Sequence, residues 1–232
     1  MVFNRGEAGE AAIIGEWEDG FGWFAHPTEE GKRASYAFAF DDGVWIVDPI
    51  YADGVEDRIA DLGTVVGIAV CSSWHARDAD LFAERYDVPI FIPEAMSRIA
   101  NQVEAPIRRY ENDLDDAGVE VFHRHPFPRA DEAILFHERT GTLYIPDSFG
   151  TTPGHTVGDE RIGLDAFMRL SPPTDLLCVE PDRICCGHGG AIFEDASSAL
   201  EDAIKGGRRR FPRAIVRQLP ARIRIIVAAL RG

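Results

Sequence analysis

Four short apolar runs of this sequence end in carboxylates or imidazoles. Val44-Trp45-Ile46-Val47 leads to Asp48, and the run from Val65 to Cys71 leads to Ser72-Ser73-Trp74-His75-Ala76-Arg77-Asp78. Thr142-Leu143-Tyr144-Ile145 leads to Pro146-Asp147-Ser148, and Arg183-Ile184-Cys185-Cys186 leads to Gly187-His188-Gly189. In α/β proteins, sites assemble where strands end and loops begin. Imidazole and carboxylate together are the ligands of a borderline-soft divalent ion such as zinc. Each residue also has a plainer use: Asp after a strand forms turns, Asp78 can cap a following helix, and a His between glycines can sit in a turn. Ser72, Ser73 and His75 place hydroxyls near an imidazole, but no nucleophile elbow accompanies them. Cys186 falls in an apolar alternation and reads as a small core residue.

The elements that must position these residues follow from periodicity. Apolar runs at 11–15 and 22–25 read as strands. Residues 34–40 and 44–47 flank Asp41-Asp42-Gly43 as a hairpin, and Pro49 ends the second strand. From there the rhythm becomes α/β. The spacing predicts helices at 55–62, 78–86 and 94–101. Between them lie strands at 65–71, apolar enough to be covered on both faces, and at 88–92. Further strands are expected at 119–122, 133–136, 142–145 and 183–186, and helices at 161–170 and 194–204. Sheets toward both ends with helices outside each give a four-layer αββα sandwich.

Composition bounds the rest. The chain has 232 residues, 45% of them hydrophobic, enough for one domain with its own core. Four cysteines, two of them adjacent and none in a C-x-x-C pair, exclude a disulfide framework and a zinc ribbon. No uncharged apolar run reaches membrane length and no apolar signal core follows Met1, so a soluble cytoplasmic protein is expected.

Acids outnumber bases 39 to 24 and the net charge is −15, which disfavours nucleic acid as a partner. After Asp202 no acid occurs and nine bases do, so that tail carries +9 and the remainder −24. The organisation read here is a domain over 1–204 with a basic helical extension over 205–232. Apolar stripes from Ile215 to Leu230, broken at Pro220, predict two short helices docked on the acidic body, with contact to a membrane surface as the alternative. Only Lys32 and Lys205 are lysines, and so acidic a body is a lever halophiles use, so stability is expected to depend on salt.

The order of the strand-end residues resembles the metallo-β-lactamase fold superfamily, from about Ser35 to about Ala203. Residues 35–49 look like that family's opening hairpin with its Asp-Pro, here Asp48-Pro49. Leu143 to Ser148 looks like the strand with the metal-bridging aspartate, and Ile184 to Gly189 like the closing Gly-His-Gly. The signature His-x-His-x-Asp-His loop is altered: Ser73, His75, Arg77 and Asp78 stand at its four positions. No His stands near Pro128, where the family carries another, although His123 and His125 are close by. Pro153-Gly154-His155-Thr156 has the text of that motif but follows Asp147 instead of preceding it, and reads as a chance match in a loop.

The resemblance implies that the three-His position is lost, His75 alone surviving. It implies a site for one divalent ion, zinc, manganese or iron, on Asp78, Asp147 and His188. His75 would stand beside them as a ligand or to orient substrate or water, and Asp147 would act as base. Arg77 points to a second outcome without metal, its guanidinium forking onto Asp147 and Asp78 in place of the ion. Two functions follow: a one-metal hydrolase of a small ester, thioester or phosphoester, or an inactive member that binds a ligand or partner in the same pocket. Metal content discriminates them.

Overall fold

The computed structural model describes residues 3, 4, 6–127 and 130–230, with backbone alone for 126, 127 and 219–230. Strands β1 (Ala12–Trp17), β2 (Gly20–Phe24), β3 (Ala34–Phe40) and β4 (Gly43–Val47) form an antiparallel meander. The Asp41-Asp42 turn works as expected: Gly43 takes φ +147° and Trp45 Nε1 donates to Asp42 Oδ1 at 2.8 Å. After helix α1 (Val55–Leu62) the sheet continues in parallel through β5 (Val65–Ala69), helix α2 (Ala79–Tyr86), β6 (Ile90–Pro93), helix α3 (Ser97–Ala100) and β7 (Ile107–Tyr110). Its seven strands lie in chain order.

The second sheet holds β8 (Val119–Phe127), β9 (Ala130–His137), β10 (Thr142–Ile145) and β13 (Arg183–Cys186) in the order β13-β10-β9-β8. Here β10 runs parallel to β13 and antiparallel to β9. The short pair β11 (Phe149–Gly150) and β12 (Gly163–Leu164) stands apart, and helix α4 (Ala196–Leu230) closes the described chain.

The period of two decides which face is central. Tyr36, Phe38, Trp45, Val47 and Ala69 from the first sheet meet Val121, Ala133, Leu135, Tyr144 and Cys185 from the second in one core. The alternate residues Ile46, Ile68 and Ile90 pack outward with Ile59 of α1 and Phe82 of α2. Leu143, Ile145, Ile184 and Cys186 pack outward with Leu200, Ala203 and Ile204 of α4. The layers are therefore α, β, β, α, as the sequence predicts. Gly67 faces Trp45 in the register; a Cβ there would stand 2.5 Å from the indole, so this strand position has room only for glycine. Across the central core Tyr36 Oη donates to Cys186 O at 3.0 Å and Tyr144 Oη to Asp48 Oδ2 at 2.5 Å.

Three expectations are corrected. Residues 161–170 are not a helix but β12 and a 3-10 turn at Met168–Leu170. Arg169, fully buried there, donates from both Nη atoms to Glu160 at 2.7 Å, a bidentate pair that holds the segment in an irregular path. Residues 94–101 shrink to the single turn of α3. The tail is one helix: α4 runs across the 204/205 boundary and, in its backbone, through Pro212 and Pro220. Contacts with the body sustain it. Ala214 packs on Val157 and Ala166, and Gln218 Nε2 donates to His155 O at 2.7 Å. The tail's apolar residues from Leu219 on lie outside the described side chains. No described helix is long and apolar enough to cross a membrane.

Candidate metal centre

All the strand-end residues singled out above lie at carboxyl ends of strands, and the two facing sheets bring three of them together. His75 sits in the loop after β5, Asp147 after β10 and His188 after β13. One ligand atom from each lies within 4.8 Å of the other two, and among the described residues this is the one such group. Both imidazoles aim Nε2 at the same oxygen: Asp147 Oδ1 is 3.2 Å from His75 and 3.1 Å from His188.

The opposite nitrogen of each ring is fixed. His188 Nδ1 donates to Gly31 O at 2.7 Å, and His75 Nδ1 donates to Asp48 Oδ2 at 2.7 Å. Asp48 is fully buried and also accepts Cys71 N–H at 2.8 Å and the Tyr144 hydroxyl. Its backbone is left-handed, φ 47°, a strained conformation that turns the carboxylate back under the sheet ends. A histidine that donates from Nδ1 to a carboxylate or carbonyl presents Nε2 to a cation, the usual outer support of a metal ligand. Two imidazole nitrogens and one carboxylate oxygen form a donor set of the kind that holds zinc or iron with coordination positions left open. The residues thus fit a single divalent ion.

The three groups perturb one another. Burial raises the pKa of Asp147, but the neighbouring His75 and His188 outweigh it and hold the carboxyl well below its ordinary range. Burial and the Arg77 charge press the His75 pKa down, yet Asp147 and Asp48 together carry it upward. Below Asp147 lies Glu132, whose Oε2 accepts the N–H groups of Asp147 at 2.7 Å and Ser148 at 2.6 Å. Its Oε1 is buried without a partner, and burial followed by the Asp147 charge pushes its pKa up to about 7. The Ser72 hydroxyl donates to Asp147 Oδ2.

Asp78, expected as a ligand, lies outside the group. Its Oδ2 accepts Tyr51 N–H at 2.7 Å, because Arg77 turns the chain through a left-handed φ of 44° just before it. Arg77 does not fork onto Asp147 and Asp78. Its Nη1 donates to Ala34 O at 2.7 Å and Asp48 O at 2.6 Å, and Nη2 donates to His75 Nε2 at 3.0 Å. Ser73, at the first signature position, accepts Asp131 N–H at 3.0 Å and so tethers the loop to β9. His123 donates to Glu111 O and His125 to Asp131 Oδ1, so neither swings in. Pro128 lies outside the described residues.

His155 is nearer the site than a chance match requires. Its ring stacks on His188 with centroids 5.9 Å apart, and Nε2 donates to Asp147 O at 3.3 Å. Cys186 is a core residue as read, its thiol pushed by burial up to about 12. Sequence reasoning missed the supporting roles of Asp48, Glu132, Ser72 and Gly31. Asp48 alone carried a visible signal, the same strand-end position as the ligands.

No protein-family model matches the chain, and no curated protein matches it in sequence. Solved structures do. A metallo-β-lactamase from Pontibacter korlensis superposes with TM-score 0.57 at 12% identity, over 84% of this chain and 99% of that one. The metallo-β-lactamase FIM-1 from Pseudomonas aeruginosa, in a mono-zinc form, gives 0.55 at 11%, over 90% and 99%. TTHA1623 in a di-iron-bound form gives 0.51 at 16%, over 74% and 93%. With the strand order and the layers described above, these likenesses show that the chain has the metallo-β-lactamase fold.

Proposed function

We propose that this chain is a hydrolase that works with one divalent metal ion held by His75, Asp147 and His188, acting on a small ester, thioester or phosphoester. One observation carries the reading. Both imidazoles have Nδ1 committed to an acceptor, so two Nε2 atoms and a carboxylate oxygen converge on one point as a donor set suited to a cation. Two members of the family's three-histidine position are gone, which supports one ion instead of two. When bound, a divalent ion supplies Lewis acidity, polarising the scissile group and lowering the pKa of water.

The chain's own residues do the rest. Asp48 and Gly31 hold the two rings in the tautomer that offers Nε2. Ser72 steadies Asp147 through Oδ2, leaving Oδ1 to face the two rings. Asp147, kept ionised, offers Oδ1 as the anionic member of the donor set. His155 and His188 stack into one wall of the site and limit access from that side.

The test is hydrolysis of nitrophenyl acetate, thioacetate and bis-phosphate esters by chelator-treated protein with and without zinc, manganese or iron(II). The reading expects turnover restored by metal and abolished in His188→Ala. Turnover that is equal in the presence of chelator, or unchanged in His188→Ala, contradicts it. Folded protein that binds an ion and turns over none of these esters favours the non-catalytic binding role.

A further inference from the structure

We propose that Arg77 stands in for a second ion. Its Nε–Nη2 edge grips an anionic oxygen pair of the substrate, a carboxylate or a phosphate ester, and binding of that anion and of the metal ion strengthen one another. This rests on the metal-site reading above.

Arg77 is held in place at one end only. Both hydrogens of Nη1 are used, on Ala34 O at 2.7 Å and Asp48 O at 2.6 Å. The remaining donors, Nε and Nη2, share the edge of the guanidinium that matches a carboxylate or phosphate bidentately. On that edge Nε is buried and has no acceptor. Nη2 has one, His75 Nε2 at 3.0 Å, the same atom that faces Asp147. Acids outnumber bases 39 to 24 in this chain, yet the hydrogen bonds of Arg77 go to two carbonyls and an imidazole, not to a carboxylate.

His75 fixes the consequence. Its Nδ1–H is committed to Asp48, so Nε2 has a single lone pair to give, to Arg77 or to the ion but not to both. Once the ion takes it, the whole free edge of Arg77 lacks a protein acceptor while remaining beside the ion's ligands. Buried donors without partners are costly, and a permanent cation beside a dication repels it. An anionic oxygen pair on that edge removes both penalties. The strained φ of 44° at Arg77, followed at once by α2, shows that the fold holds this side chain here against its backbone preference. Without an anion, Arg77 competes with the ion; with one, it helps to retain it. Such coupling is reciprocal.

The experiment measures zinc affinity by competition with a chromophoric chelator, for wild type, Arg77→Met and Arg77→Lys, each with and without acetate or methyl phosphate. Near-ultraviolet circular dichroism reports folding. In wild type at least one of the two anions should tighten zinc tenfold or more, and the stronger of them names the substrate's anionic group. In Arg77→Met zinc alone should bind at least tenfold tighter than in wild type, and the anion effect should vanish. Arg77→Lys, which keeps the charge but lacks the fork, should retain less than threefold coupling. Zinc that binds wild type with no response to either anion overturns the proposal, as does full coupling in a folded Arg77→Met. If that variant does not fold, the wild-type anion response and Arg77→Lys decide. No zinc binding by any of the chains defeats the metal reading itself, a result distinct from zinc bound without coupling.

Discussion

Glu132 is a buried carboxyl with one oxygen engaged by two backbone N–H groups and the other without a partner, and its pKa stands at about 7 against an ordinary 4.5. The shift has a definite sign for stability. Between pH 4.5 and about 7 the folded chain keeps a proton that the unfolded chain has released, so folding loses stability as pH rises through that window. The full loss is about 3 kcal/mol, of which roughly 2.5 falls between pH 5 and pH 8. Glu132→Gln keeps an oxygen for the Asp147 and Ser148 N–H groups and removes the ionisation. Other carboxyls, Asp147 and Glu29 among them, have lowered pKa values and act in the opposite direction, so the quantity to read is the difference between the two chains. Urea unfolding of chelator-treated wild type and Glu132→Gln at pH 5 and pH 8 supplies it. The variant should gain on wild type by roughly 2.5 kcal/mol from the lower to the higher pH. A difference that stays flat across this range refutes the placement of Glu132 as a buried, half-satisfied acid under the site.

Other perturbations reach different parts of the structure. Asp48→Asn removes the carboxylate that fixes His75 and should weaken zinc binding about 10- to 100-fold by chelator competition, while near-ultraviolet circular dichroism stays native. Arg169→Met strips the buried Glu160 of its bidentate partner, leaving Arg210 at 3.5 Å, and should cost about 3 kcal/mol in urea unfolding. Pairing it with Glu160→Gln should recover part of that loss. With a net charge of −15 and nine bases confined to the tail, the melting temperature should rise steeply from low salt to molar potassium chloride, where the screening length falls to about 3 Å. A flat response would mean the acidity serves solubility only.

Much of the fold was legible because the strands alternate cleanly and end on informative residues. Tyr144 faces inward and Ile145 outward, and Asp147 follows where the sheet runs out. His188 repeats the pattern one strand over, and the parallel pairing of β10 with β13 brings the two ends side by side. Strand β7 was not legible, since Ile107-Arg108-Arg109-Tyr110 puts two exposed arginines on an edge where alternation has little to bury. The tail was misread from its prolines. Local chemistry favours a break at Pro220, but the helix backbone continues through it, with Gln218 and Ala214 anchoring the preceding turns to the body. Within the site, the family resemblance implied Asp78 as a ligand, whereas one left-handed residue turns it toward Tyr51. The part played by Arg77 depends on carbonyls at Ala34 and Asp48, far from it in sequence, which no local pattern encodes.

The central claim is that His75, Asp147 and His188 hold one ion. It is tested most directly by metal analysis of protein purified without chelator and reloaded with zinc, joined to X-ray absorption at the zinc edge. One equivalent per chain is predicted, with scattering from two imidazoles and loss of the ion in the His75→Ala, His188→Ala double variant. Two tightly held equivalents, an ion without imidazole neighbours, or an ion retained by the double variant would contradict it.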